Sequence, residues 1–136
     1  MVTQNLGRLP TPVGEFVNAL RARCALQAAI LFGSQARGDA DHFSDFDLFV
    51  IADDLPRDWW RRSELLSRDQ PAGVDVIGYT PGEIRANLHR PLILDVALEG
   101  IAVYGEMGWL RALAQTYIAE RRLVKCDWGY RQLEPV

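Results

Sequence analysis

Two aspartates, Asp45 and Asp47, stand one residue apart at the start of the apolar run FDLFVIA. In an extended strand residues i and i+2 project from the same side, so the two carboxylates face one way while Phe46 and Leu48 face the other. Carboxylates held that close repel unless a cation sits between them. All-oxygen ligation of this kind suits Mg²⁺, which takes one or two carboxylates together with substrate phosphates. Asp75 lies between Val74 and Val76 in a third apolar segment, and a charge there needs a partner. If that segment lies beside the one carrying Asp47, the three acids form one cluster. With ten residues between it and Asp45, Gly33-Ser34 stops the apolar run Ala28 to Phe32. A glycine after a strand lets backbone approach a ligand closely. The free N–H groups of a helix beginning there favour an anion such as phosphate, and the Ser34 hydroxyl adds a donor.

The elements that must position these groups alternate helix and strand. Thr11-Pro12 reads as N-cap and first helical residue, followed by an apolar face of Val13, Phe16, Val17, Leu20 and Cys24. Strands are expected over 28–32, 46–52, 73–78 and 101–104, with a polar loop over 38–45. Helices are expected from about Pro56 to Arg68, from the capping-box sequence Thr80-Pro81-Gly82-Glu83, over 92–99 up to Gly100, and over 107–125. The last dozen residues show no period. The expected fold is α/β, a small mixed β-sheet flanked by helices with the site at one sheet edge. The chain reads as one domain over 1–136, with the motif-bearing core at about 27–104 and a C-terminal helix at about 107–125.

Composition bounds the possibilities. The 136 residues are 49% hydrophobic and 24% charged, which excludes a disordered or fibrous chain. Fifteen basic residues against eighteen acidic ones give a net charge of −3, so no global basic field invites nucleic acid. Fourteen of the fifteen basic residues are arginine; a GC-rich genome explains that skew as well as phosphate binding does. Cys24 and Cys126 are far apart with no CxxC, which fits a reduced, cytoplasmic setting rather than a zinc site. No signal peptide and no membrane span is read.

Together, Gly33-Ser34, the Asp45/Asp47 pair and Asp75 resemble the DNA polymerase β-like nucleotidyltransferase superfamily. The extended pattern GSxARG…SDxDL, present as GSQARG…SDFDL, resembles the minimal nucleotidyltransferases, the MNT family, over about residues 27–104. The EGIAVYG stretch is similar to the strand that ends many such domains. The resemblance implies ATP as nucleotide donor and two Mg²⁺ ions. Asp45 and Asp47 would hold the metals, Asp75 would ligate one and help deprotonate the acceptor hydroxyl, and Gly33 and Ser34 would hold the β- and γ-phosphates. Larger relatives carry a helical acceptor-binding domain for which 136 residues leave no room. Minimal members commonly act as the antitoxin of a HEPN toxin, some by transferring AMP to it. A HEPN protein is therefore the expected partner. Antitoxin action by binding alone, and modification of a small aminoglycoside-like molecule with a homo-oligomer completing the acceptor pocket, are the alternatives.

Other residues carry weaker signals. Arg37 reads either as a phosphate or acceptor contact or as an ion-pair partner of Asp39 or Asp41. Ser44 reads either as a nucleotide contact or as a cap on the turn before Asp45. His42 is expected in an exposed loop and His89 in a structural role on a helix. One of Trp59 and Trp60 is expected in the core and the other partly exposed. Arg61-Arg62 and Arg121-Arg122 are expected on solvated helix faces. Trp128 and Tyr130 either pack back on the domain or meet a partner.

Overall fold

The computed structural model describes residues 9–38 and 45–133. Its centre is a four-stranded sheet of β1 (Leu26–Phe32), β2 (Phe46–Ala52), β3 (Val74–Tyr79) and β4 (Ile101–Gly105), in the order β3-β2-β1-β4. β1 runs antiparallel to both β2 and β4, and β2 and β3 are parallel. A parallel pair needs a crossover, and α3 (Trp59–Ser67) supplies it.

Both faces of the sheet are covered, which is why its central strands read as continuous apolar runs. On one face Ala29, Leu31, Leu48 and Val50 pack with Leu66 of α3 and with Val13, Phe16, Val17 and Leu20 of α1 (Thr11–Arg23). On the other, Ala28, Ile30, Phe49 and Ile51 pack beneath α4 (Pro81–Ala86), α5 (Pro91–Glu99) and α6 (Gly108–Arg121) through Ile84, Ile93, Leu94, Val96 and Leu110. α2 is the single turn Ser34–Arg37 that follows β1.

Several boundaries differ from the sequence reading, each for a local reason. α1 begins at Thr11 itself. The Pro10 carbonyl accepts from Val13 and Gly14 at 3.0 and 3.1 Å, so Pro10 is the N-cap and Thr11 makes no side-chain cap. α3 starts at Trp59 because the Asp58 carboxylate accepts the Trp60 N–H at 2.9 Å. The Thr80–Glu83 capping box forms as read. The last helix ends at Arg121 rather than 125. Arg122 turns into the left-handed region at φ 53°, and the chain continues as a hairpin of β5 (Leu123–Cys126) and β6 (Gly129–Gln132).

The arginine and tryptophan expectations also change. Arg62 is 1% exposed rather than solvated. It donates to the Pro56 and Gly78 carbonyls at 2.8 and 3.1 Å and forks onto Glu83 at 2.7 and 2.9 Å, joining α3, β3 and α4. Neither Trp59 nor Trp60 is in the core, at 52% and 76% exposed. With Arg62 taking the inward position of α3, its guanidinium lies 4.4 Å from the centroid of the Trp59 ring. Arg61, Arg121 and Arg122 are exposed as expected. His89 is exposed in the turn between α4 and α5 rather than on a helix. Tyr130 packs back on the domain and donates to Asp95 at 2.8 Å, whereas Trp128 at the hairpin turn is exposed. His42 lies outside the described residues.

Candidate active site

Strand register places the acids. β1 and β2 pair Phe32 with Asp47, and β2 and β3 pair Asp47 with Asp75. Register partners on neighbouring strands share a face, with backbones about 4.8 Å apart. Asp47 and Asp75 therefore stand side by side where β1 ends and β2 and β3 begin. They belong to the face that carries Phe49, Ile77 and Tyr79, beneath α5.

The Asp47 carboxyl is held above its usual range, first by burial, then by the charges of Asp75 and Asp45. Burial and the neighbouring acids both disfavour its ionised form. Asp45 contributes through this field, but it is exposed and lies just before β2 begins. Among the described residues no three His, Cys, Asp or Glu side chains gather tightly enough to cage a metal ion on their own. The donor set is an adjacent pair with a third acid at its margin. Such a set fits Mg²⁺ shared with substrate phosphates, since that ion rarely takes an all-protein cage.

Gly33 is required by the same geometry. Its φ of 76° and ψ of −153° lie in a region only glycine occupies readily. A Cβ built on it would lie 2.7 Å from the Asp47 Oδ2. The backbone thus passes directly against the carboxylate before entering α2, whose first residue is Ser34. Arg37 ends α2 and is exposed. Ser44, and the Asp39 and Asp41 partners considered for Arg37, lie outside the described residues.

A cavity of about 210 Å³ opens at the acids, lined by Phe32, Asp47, Leu48, Asp75, Val76, Ile77 and Leu92. Sequence reasoning missed its apolar walls. Leu92 belongs to α5, whose N-terminal end is brought over the strand starts only by packing against β1, so no local pattern marks it.

Comparison with known proteins adds an independent line. The polymerase β nucleotidyltransferase family model matches residues 15–104, which include Gly33, Ser34, Asp45, Asp47 and Asp75. A Methanocaldococcus jannaschii protein, provisionally named a protein adenylyltransferase, is 46% identical over 43 residues; that stretch is 30% of this chain and 43% of the relative, so the match spans less than half of the relative's length. Among solved structures, a chain of a toxin–antitoxin complex with AMP-PNP superposes with a TM-score of 0.52 at 24% identity, covering 79% of this chain and 91% of that one. A provisionally named nucleotidyltransferase from Sulfolobus solfataricus gives 0.55 at 22% identity, with coverages of 72% and 81%. A chain of the complex between a tri-AMPylated Shewanella oneidensis HEPN toxin and its MNT antitoxin gives 0.51 at 22%, with coverages of 82% and 90%. At these identities the structures show a shared fold. The family match covers most of the chain, and with it the chain belongs to the polymerase β nucleotidyltransferase family.

Proposed function

We propose that this nucleotidyltransferase transfers AMP from Mg²⁺-bound ATP to a hydroxyl on a separate protein, and that it serves as the MNT antitoxin of a HEPN toxin. The observation that carries the chemistry is the register pairing of Asp47 with Asp75, with the Gly33 backbone against Asp47. The protein acceptor is supported by the name of the M. jannaschii relative and by the fold shared with the toxin–antitoxin complexes.

Asp45, Asp47 and Asp75 would hold the metal, and the bound ions would neutralise the triphosphate and the charge that builds as one P–O bond replaces another. Gly33 and Ser34 would seat the β- and γ-phosphates at the start of α2, where helix-start N–H groups have no intrahelical partner. The acceptor hydroxyl oxygen bonds to the α-phosphorus, the bond from that phosphorus to the β-phosphate oxygen breaks, and pyrophosphate leaves. Asp75 would help to take the hydroxyl proton. No protein nucleophile is needed.

The test is to incubate the chain with labelled ATP, Mg²⁺ and its co-encoded HEPN protein. Label on the HEPN protein, lost in an Asp45→Asn/Asp47→Asn double variant, is expected. No transfer by the wild type, with full neutralisation of the toxin by the double variant, would instead establish antitoxin action by binding alone.

A further inference from the structure

The order of groups across the site gives the reaction a direction. Gly33 follows β1, Asp47 lies on β2 and Asp75 on β3, which is the edge strand of the sheet. If the leaving phosphates sit at Gly33 and Ser34, in-line displacement requires the attacking oxygen to arrive from the opposite side, past Asp75 and over the β3 edge. This step rests on the transfer reaction proposed above. On that side the surface is hollowed by three cavities that share lining residues. The cavity at the acids shares Val76 and Ile77 with a second one of about 240 Å³, lined by Trp59, Arg62, Ser63, Leu66 and Gly78 as well. Trp59 then joins the second to a third of about 370 Å³, which Tyr79, Glu83, Asn87 and Arg90 complete. From Asp75 to Tyr79 the strand advances about 13 Å, the reach of a short peptide.

The edge itself is not open for strand addition. The Gly78 carbonyl accepts from Arg62 and the Val74 carbonyl accepts from the Gln70 side chain, which blunts the ladder. An occupant must therefore bind through side chains. Trp59 is built to receive one. Arg62, itself buried and fixed by four hydrogen bonds, lies against its ring, and Tyr79 meets it edge-on at 5.6 Å. Trp59 nevertheless remains 52% exposed. The exposed guanidinium groups of Arg57, Arg61 and Arg90 flank this region in sequence or line its cavity. Glu83, the carboxylate in the third cavity, is already forked by Arg62.

We infer that the hollow along the β3 edge, centred on Trp59 and ending at Arg90, is the acceptor subsite, and that it takes a protein segment whose hydroxyl residue is followed by an apolar and then an acidic side chain. The hydroxyl reaches Asp75, the apolar group fills the space over Val76, Ile77 and Trp59, and the acidic group meets Arg90. Trp59 and Arg90 act as positioning residues for the acceptor, and the donor nucleotide lies on the far side of Asp47 from them.

The experiment measures AMP transfer to the co-encoded HEPN protein against acceptor concentration, and Mg²⁺–ATP affinity by calorimetry. Trp59→Ala and Arg90→Glu are each expected to raise the acceptor KM about tenfold, the scale of one lost aromatic or charged contact, with ATP affinity within twofold of wild type. Trp59→Phe is expected to recover most of the loss, and Arg90→Glu, at an exposed position, carries the test if Trp59→Ala unfolds. Weakened ATP binding in these variants would assign the hollow to the donor base and overturn the inference. An unchanged acceptor KM in Arg90→Glu, or in a folded Trp59→Ala, would overturn it too. A wild type that binds ATP but labels no HEPN protein would fail the transfer reading itself, a result distinct from either.

Discussion

At the scale of single residues the site is a store of electrostatic tension. Asp47 is the focus, since burial and two acidic neighbours all raise its pKa. A carboxyl whose pKa is higher in the folded than in the unfolded chain favours folding while it is protonated. That contribution fades as pH rises through its folded pKa, so at neutral pH the ionised group strains the fold. Asp47→Asn is therefore expected to raise the melting temperature at pH 7 in the absence of divalent ions. The advantage should shrink as pH falls below the ordinary carboxylate range, where the wild-type acid is neutral as well. Saturating Mg²⁺ should raise the melting temperature of the wild type and narrow the gap, because on the proposed reading Asp47 is a ligand of the ion and the variant lacks it. Thermal melts across pH, with and without Mg²⁺, check all three. These acids were legible in the sequence because an Asp-x-Asp at a strand start and an aspartate inside an apolar strand are both costly unless used.

Elements are tied together by polar contacts that the sequence does not advertise. Arg62 follows another arginine in a charged helix, and only the fold shows that it is buried and shared among α3, β3 and α4. Hydrogen bonding and charge from Arg62 hold the Glu83 carboxyl below its usual range, against the opposing effect of burial. A depressed carboxyl pKa stabilises above the unfolded value and loses that contribution as pH falls through the folded one. Arg62→Ala would leave the Gly78 carbonyl and part of Glu83 unpaired beside a cavity. It is expected to cost about 3 kcal/mol in urea unfolding at pH 7, and less at pH values low enough to protonate Glu83. Arg61, one position earlier, points away from this junction, is 78% exposed at its side chain and makes only a 3.9 Å contact with Asp58, so it carries little of the load.

Beyond the family-matched span the molecule continues as α6 and a hairpin. The matched span ends at Tyr104, while β5 and β6 fold back onto α5 through Lys125 to Asp95 at 2.6 Å and Glu99 at 3.3 Å, and through Tyr130 to Asp95 at 2.8 Å. Asp95→Ala removes two of these bonds together. The expected loss of global stability is only about 1 kcal/mol, because the groups are partly exposed. Faster hydrogen exchange is expected in β5 and β6, with the four-stranded sheet unchanged. Exchange mass spectrometry distinguishes this local opening from global unfolding. Among the described residues no helix is long and apolar enough to cross a membrane. By itself the sequence determined the four strands of the main sheet, the capping box, the glycine turn and where the acids stand along the chain, because apolar runs, caps and isolated charges act over a few residues. Only tertiary structure decided that Asp75 stands beside Asp47, that Arg62 is interior while both tryptophans of α3 are not, that the chain after Arg122 turns into a hairpin, and that cavities open at the acids and at Trp59 beside the β3 edge. Each of those depends on which segments become neighbours across the sheet, and side-chain pairing at that range leaves no period in the chain.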